Sequence, residues 1–153
     1  MKYILGISLL CLAACTFHPL YGSKVMDGVC VLSIPEESGY LLYQSLHTHF
    51  PANDNCAYTL KVQTPKVILS DASISNKDFT TMQNISAKTS FSLLDDKKTS
   101  VLSNSVSVSS SSAITSNPYA SVVAQEKTAH NLYPLLADQI ALHVAAYLDR
   151  KDQ

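Results

Sequence analysis

The residue with the clearest chemistry is Cys15, which closes the run Leu12-Ala13-Ala14-Cys15. A small residue directly before a cysteine, with an aliphatic residue three positions before it, is the bacterial lipobox. Small side chains let a protease seat the extended backbone in a narrow cleft. The cysteine is needed because its thiolate is the nucleophile that takes a diacylglycerol as a thioether. The residues ahead of it fit the same purpose. Lys2 adds a positive charge, and Tyr3 to Ala14 is apolar apart from Gly6 and Ser8. That run has signal-peptide length and is too short to span a bilayer. The expectation is that residues 1–14 are a lipoprotein signal peptide and that Cys15 carries a diacylglycerol and an N-acyl chain, enough for stable anchoring. Thr16 follows Cys15. An Asp there retains enterobacterial lipoproteins at the inner membrane, so Thr16 points to the periplasmic side of the outer membrane.

Few other residues have the company that chemistry needs. Cys11 leaves with the signal, so Cys30 and Cys56 remain in an oxidising compartment. They form either a disulfide, closing a loop of roughly 25 residues, or two separately buried thiols. Without Cys-x-x-Cys spacing they do not suggest zinc. His47 and His49 lie two apart in a segment that reads as helix, which puts them on different faces, so no metal is expected. Glu36-Glu37 is an adjacent pair on an exposed approach, where solvation is the ordinary state. There is no glycine-rich phosphate loop, no Gly-x-Ser-x-Gly and no His-Glu-x-x-His, and no serine stands in a nucleophile context. An enzyme is not expected, nor a cofactor beyond the acyl groups on Cys15.

Composition narrows the classes further. In 153 residues the formal net charge is −1 and 15% are charged, well below the roughly 25% of an ordinary domain. No basic stripe exists to hold nucleic acid. No apolar run reaches the ~20 residues of a membrane-spanning helix. Serine replaces much of the missing charge, so the surface is polar but weakly charged.

The elements follow from periodicity. Residues 15–27 read as a lipidated tether punctuated by Pro19 and Gly22, and 28–150 as one domain. Val29 to Ile34 reads as a strand stopped by Pro35. Pro35 to Gly39 is a helix approach, and Tyr40 to Phe50 reads as a helix with Leu42, Leu46 and Phe50 on one face. From Cys56 the period becomes two: Tyr58, Leu60 and Val62 oppose Thr59, Lys61 and Gln63. Pro65 interrupts, so Val67-Ile68-Leu69 is either a continuation past a bend or a second strand. Ser75 to Asp78 is a loop. From Ile85 to Leu93 alternation is clean, with Ser86, Lys88, Ser90 and Ser92 on the opposite side. Asp95 to Lys98 is a charged hairpin tip. The serines from Ser103 to Ser112 could form a linker, but alternation with Leu102, Val106 and Val108 favours a strand with a serine-coated wet face. Asn117-Pro118 starts a helix, Asn as cap and Pro in the first turn. Its stripe comprises Val122, Ala129, Tyr133, Leu136, Ile140, Val144 and Tyr147, with a kink or break expected near Pro134. The fold class is an α/β (α+β) two-layer sandwich, two amphipathic helices on one face of a roughly four-stranded mixed sheet.

Residues 15–22, Cys-Thr-Phe-His-Pro-Leu-Tyr-Gly, resemble the mature start of the LptE family of lipopolysaccharide-assembly lipoproteins, which have Cys-Gly-Phe-x-Pro-Leu-Tyr-Gly after the lipobox. Phe17, Pro19, Leu20, Tyr21 and Gly22 match; Thr16 stands where Gly is usual. Tyr119-Ala120, opening the last helix after a serine-bearing strand, is similar to the family pattern, and the order of elements fits over nearly the whole chain after the signal. The resemblance implies an outer-membrane lipoprotein that plugs the lumen of the β-barrel LptD, helps it assemble, and assists lipopolysaccharide insertion. Lipopolysaccharide carries phosphates, so Lys77, Lys97 and Lys98 on loop tips are the expected contacts. The alternative is an auxiliary lipoprotein of another outer-membrane lipid-transport or barrel-assembly complex.

Overall fold

The computed structural model describes residues 26–73 and 81–151, without the side chains of 71–73 and 81. The signal segment, Cys15, nearly all of the tether and Lys77 lie outside the described residues.

The chain first builds a parallel pair. Strand β1 (Val29–Val31) runs beside β2 (Tyr58–Val62), with Val29 opposite Tyr58 and Val31 opposite Leu60. Parallel neighbours need a crossover, and helix α1 (Glu37–His47) supplies it. Sequence periodicity places this helix three residues too late at each end. It starts at Glu37, where Tyr40 N donates to Glu36 O at 2.9 Å. It ends before Phe50, which is buried in the turn that follows. The apolar repeat Leu42, Leu46, Phe50 therefore marks one buried surface rather than one helix. Gly39 lets α1 lie close on the preceding segment, since a Cβ there would stand 2.7 Å from Ile34 Cγ2 and 3.1 Å from the Ile34 carbonyl oxygen.

The other strands are antiparallel. β4 (Thr81–Leu94) pairs along its length with β5 (Ser100–Ile114). Its other edge is shared: β3 (Lys66–Ser73) takes one stretch and β2 the other. Residues 58–73 thus behave as one long strand bent at Thr64-Pro65, since proline cannot donate to the ladder. The bend is sewn to β4 by Gln63 N donating to Ser90 O at 2.9 Å and by the buried Thr89 hydroxyl donating to Gln63 O at 2.6 Å. The result is a mixed sheet of five strands, open at β1 and at β5.

The 34-residue helix α2 (Pro118–Lys151) crosses the sheet on the same side as α1. Asn117 caps it, its Oδ1 accepting from Tyr119 N at 3.1 Å and Ala120 N at 3.4 Å. It continues through Pro134 without a break. The packing of its second half against both α1 and the sheet outweighs the loss of one backbone bond: Leu132, Tyr133, Leu136, Ala137, Ile140, Ala141, Val144 and Ala145 are all buried. Three expected stripe positions differ, Ala129 being only partly buried. Val122 is 58% exposed and Tyr147 only partly buried, while Ser121 is buried instead. The first turns of α2 reach beyond α1 and lie on the sheet through small and polar residues. Gln125 Nε2 donates to Gln83 Oε1 at 2.6 Å, and Thr115 N donates to Ser121 Oγ at 3.0 Å.

Candidate functional site

With both described helices on one side, the sheet's other side is bare among the described residues. The register says what coats it. Opposite the buried set Ile85, Ala87, Thr89, Phe91 and Leu93 stand Ser86, Lys88, Ser90 and Ser92, and β5 sets Ser103, Ser105, Ser107 and Ser109 beside them. Ser92 pairs with Ser103, Ser90 with Ser105, and Ser86 with Ser109. The serine-rich segment is therefore a full strand to Ile114, longer than alternation with Leu and Val predicts, because Ser110 and Ser112 take inward positions. Ser112 is buried there. A serine needs little room, so α2 can approach closely over this end. On the bare side, Lys61, Gln63, Ser90, Ser92, Ser103 and Ser105 line a shallow concavity of about 520 Å³. Hydroxyls and amides of this kind exchange hydrogen bonds with a polar partner surface or with trapped water.

The hairpin tip holds Lys97 and Lys98. Its geometry is structural: Asp95 Oδ1 accepts from Lys97 N at 3.0 Å and from Thr99 N at 2.8 Å, and Lys98 N donates to Asp95 O at 3.0 Å. Asp95 is committed to holding the turn, as an Asx residue does. Lys98 sits at φ 61°, in the left-handed region that suits glycine.

Cys30 and Cys56 are joined by a disulfide with a Cα–Cα separation of 5.5 Å. It staples β1 to the loop that leads into β2, at the same end of the sheet as the hairpin tip. Asn53 sits against this staple, its side-chain amide donating to Asp27 O. The helical segment read around His47 and His49 resolves differently: His47 packs edge-on to Tyr43, with ring centroids 4.4 Å apart, and His49, beyond the helix end, meets Asp138 Oδ1 at 2.8 Å. Neither is simply a solvated helix end. Where α1 begins, Glu36, Glu37, Glu126, His130 and Tyr133 line a niche of about 460 Å³. Burial, then the Glu37 carboxylate, pushes the Tyr133 phenol above its ordinary range. Among the described residues, no group of three or more His, Cys, Asp or Glu is placed to hold a metal ion. No described helix is long and apolar enough to cross a membrane.

Sequence reading singled out the tip lysines and passed over Lys61, Lys66 and Lys88. Alternation alone turns Lys61 and Lys88 away from the core. What it lacks is the register that puts Lys66 directly opposite Lys88.

No family model matches this sequence, and no curated protein does. Solved structures match the fold over most of both chains. Rare lipoprotein B from Shewanella oneidensis superposes with a TM-score of 0.65 at 13% identity, covering 82% of this chain and 98% of that one. A lipoprotein B from Nitrosomonas europaea gives 0.63 at 14% identity, covering 81% and 85%. A minor lipoprotein from Acinetobacter baumannii gives 0.61 at 16% identity, covering 78% and 92%. The chain thus has the fold of these bacterial lipoproteins.

Proposed function

We propose that this chain is an LptE-like lipoprotein, anchored through acyl groups on Cys15 to the periplasmic side of the outer membrane. There it acts without catalysis as a plug and assembly factor for an LptD-like β-barrel that inserts lipopolysaccharide. The observation that carries the reading is the match of this fold to bacterial lipoproteins over most of both chains. It meets a sequence that has a lipobox at Cys15 and the Phe17 to Gly22 continuation. A sealed core under two helices with a bare, hydroxyl-coated sheet opposite supports it, because a barrel lumen is polar. Residues 1–14 are then the signal, 15–27 the tether, and Lys77, Lys97 and Lys98 the phosphate contacts.

The full-length lipoprotein, tagged at its C-terminus and extracted from native membranes, is expected to retrieve one large β-barrel protein. Retrieval of permease components alone would favour an auxiliary role in another lipid-transport complex. Depletion is expected to remove surface lipopolysaccharide. Mass spectrometry of the mature N-terminus tests the anchor directly, and an unmodified Cys15 thiol would rule it out.

A further inference from the structure

The bare face of the sheet has a charge pattern that the whole chain hides. The register brings Lys61, Lys66 and Lys88 onto it, all three exposed. Lys66 and Lys88 are direct partners across β3 and β4, an arrangement that like charges disfavour. Among the described side chains this face carries no carboxylate, and none of the three ammonium groups has an ion-pair partner. The chain as a whole is slightly acidic, with a net charge of −1. Described acids sit elsewhere, among them Glu36, Glu37 and Glu126 on the helix side and Asp95 and Asp96 at the hairpin tip. Beside the lysines, Ile68 and Met82 are 54% and 38% exposed on the same face.

We infer that this face docks a carboxylate-bearing protein surface. Strands of this length and spacing give the face an area on the order of 700 Å², close to what one partner contributes to a standard interface. Lys61 and Lys66, opposite Ser92 and Lys88 on β4, stand ~13 Å apart along the strand direction. They are spread in a plane and do not converge on one small anion. Among the described residues the face offers no aromatic ring on which a base could stack. A second copy of this chain docked face to face would set lysine against lysine. An acidic, flat, polar surface meets all three lysines, lies against small serines without collision, and covers Ile68 and Met82. Opposite potentials across such an interface govern encounter rate and register. The identity of the partner rests on the function proposed above; the chemistry of the face does not.

The test places a photo-crosslinking amino acid at Ser107 on this face, or at Leu135 on the helix side, in the full-length lipoprotein in intact cells. Adducts from Ser107 are expected to be protein and to map to a segment rich in Asp and Glu. Their yield should fall at least ten-fold in the K61E/K66E/K88E variant and stay within two-fold in K61R/K66R/K88R. Circular dichroism of the same variants checks that each remains folded, and K61Q/K66Q/K88Q stands in if the charge reversal does not. Adducts confined to Leu135, adducts to a phosphoglycolipid only, mapping to a segment without carboxylates, or insensitivity to charge reversal would each overturn the inference. A barrel captured only through Leu135 sinks this inference and leaves the proposed function intact. An acidic protein that is not a barrel, captured through Ser107, does the reverse.

Discussion

The two halves of α2 lie on the same sheet and live in different surroundings. Downstream of Ala129 the helix is wedged between α1 and the sheet, and Leu132, Leu136, Ile140 and Val144 are at most 1% exposed. Upstream, α1 has ended. Val122 is 58% exposed and Val123 45%, and the β3 residues Val67 and Leu69, which point to the helix side, remain 38% and 52% exposed. One half is held by apolar burial from two directions. The other is held by small residues and hydrogen bonds, with Ser121 on Thr115 and Gln125 on Gln83. The apolar content of a segment does not decide which half is core; the presence of a second layer over it does.

The widest separation between the halves should come from truncating matched side chains. Leu136→Ala empties a fully enclosed site and is expected to cost about 3–5 kcal/mol, read from urea denaturation. Val122→Ala at the exposed site should stay within about 0.5 kcal/mol. Equal losses would break the comparison. Hydrogen exchange should agree, with amides of 122–128 opening before those of 136–148.

Next in size is the staple at the disulfide end. Replacing Cys30 and Cys56 by Ala is expected to lower stability by about 3 kcal/mol. The loss should act through β1 and α1, so hydrogen exchange should show protection lost around Met26 and Leu46 before the N-terminal half of α2 changes further. Gly39→Ala probes the contact that seats α1. A methyl group would press on the Ile34 backbone, and the expected cost is about 1–3 kcal/mol despite alanine's better helix propensity. Stabilisation instead would mean that α1 shifts easily. The smallest effect belongs to the tip. Lys98→Gly relieves a left-handed residue and should raise stability by about 0.5–1 kcal/mol, measured as a shift of the denaturation midpoint. A loss there would show that the Lys98 side chain contributes more than its backbone costs.

Local pattern carried much of this molecule. Clean alternation from Ile85 to Leu93 and the Asn117-Pro118 start are properties of a few adjacent residues; the helix starts at that Pro118, and the strand contains the alternating run but begins earlier, at Thr81. The Asp95 to Lys98 turn is equally local, since Asp95 reaches only its own neighbours. The misread boundaries share a cause. Phe50 extends the apolar repeat of α1 although it packs from a turn, and Val122 extends that of α2 although nothing covers it. Periodicity records which residues are apolar; it does not record where the facing layer stops.

The candidate site divides in the same way. That Lys61 and Lys88 turn away from the core follows from a side-chain period of two, a covalent property of an extended chain. That Lys66 lies opposite Lys88 on one edge of β4, that the serine strand runs along the other edge, and that no described helix covers them depend on pairings between residues distant in sequence. The order of elements and the wet serine strand were decided by sequence alone, because each is a relation between near neighbours. The register of five strands and the side of the sheet left bare were decided only on folding. They minimise the exposed apolar area of the entire assembly, and no single segment holds that information.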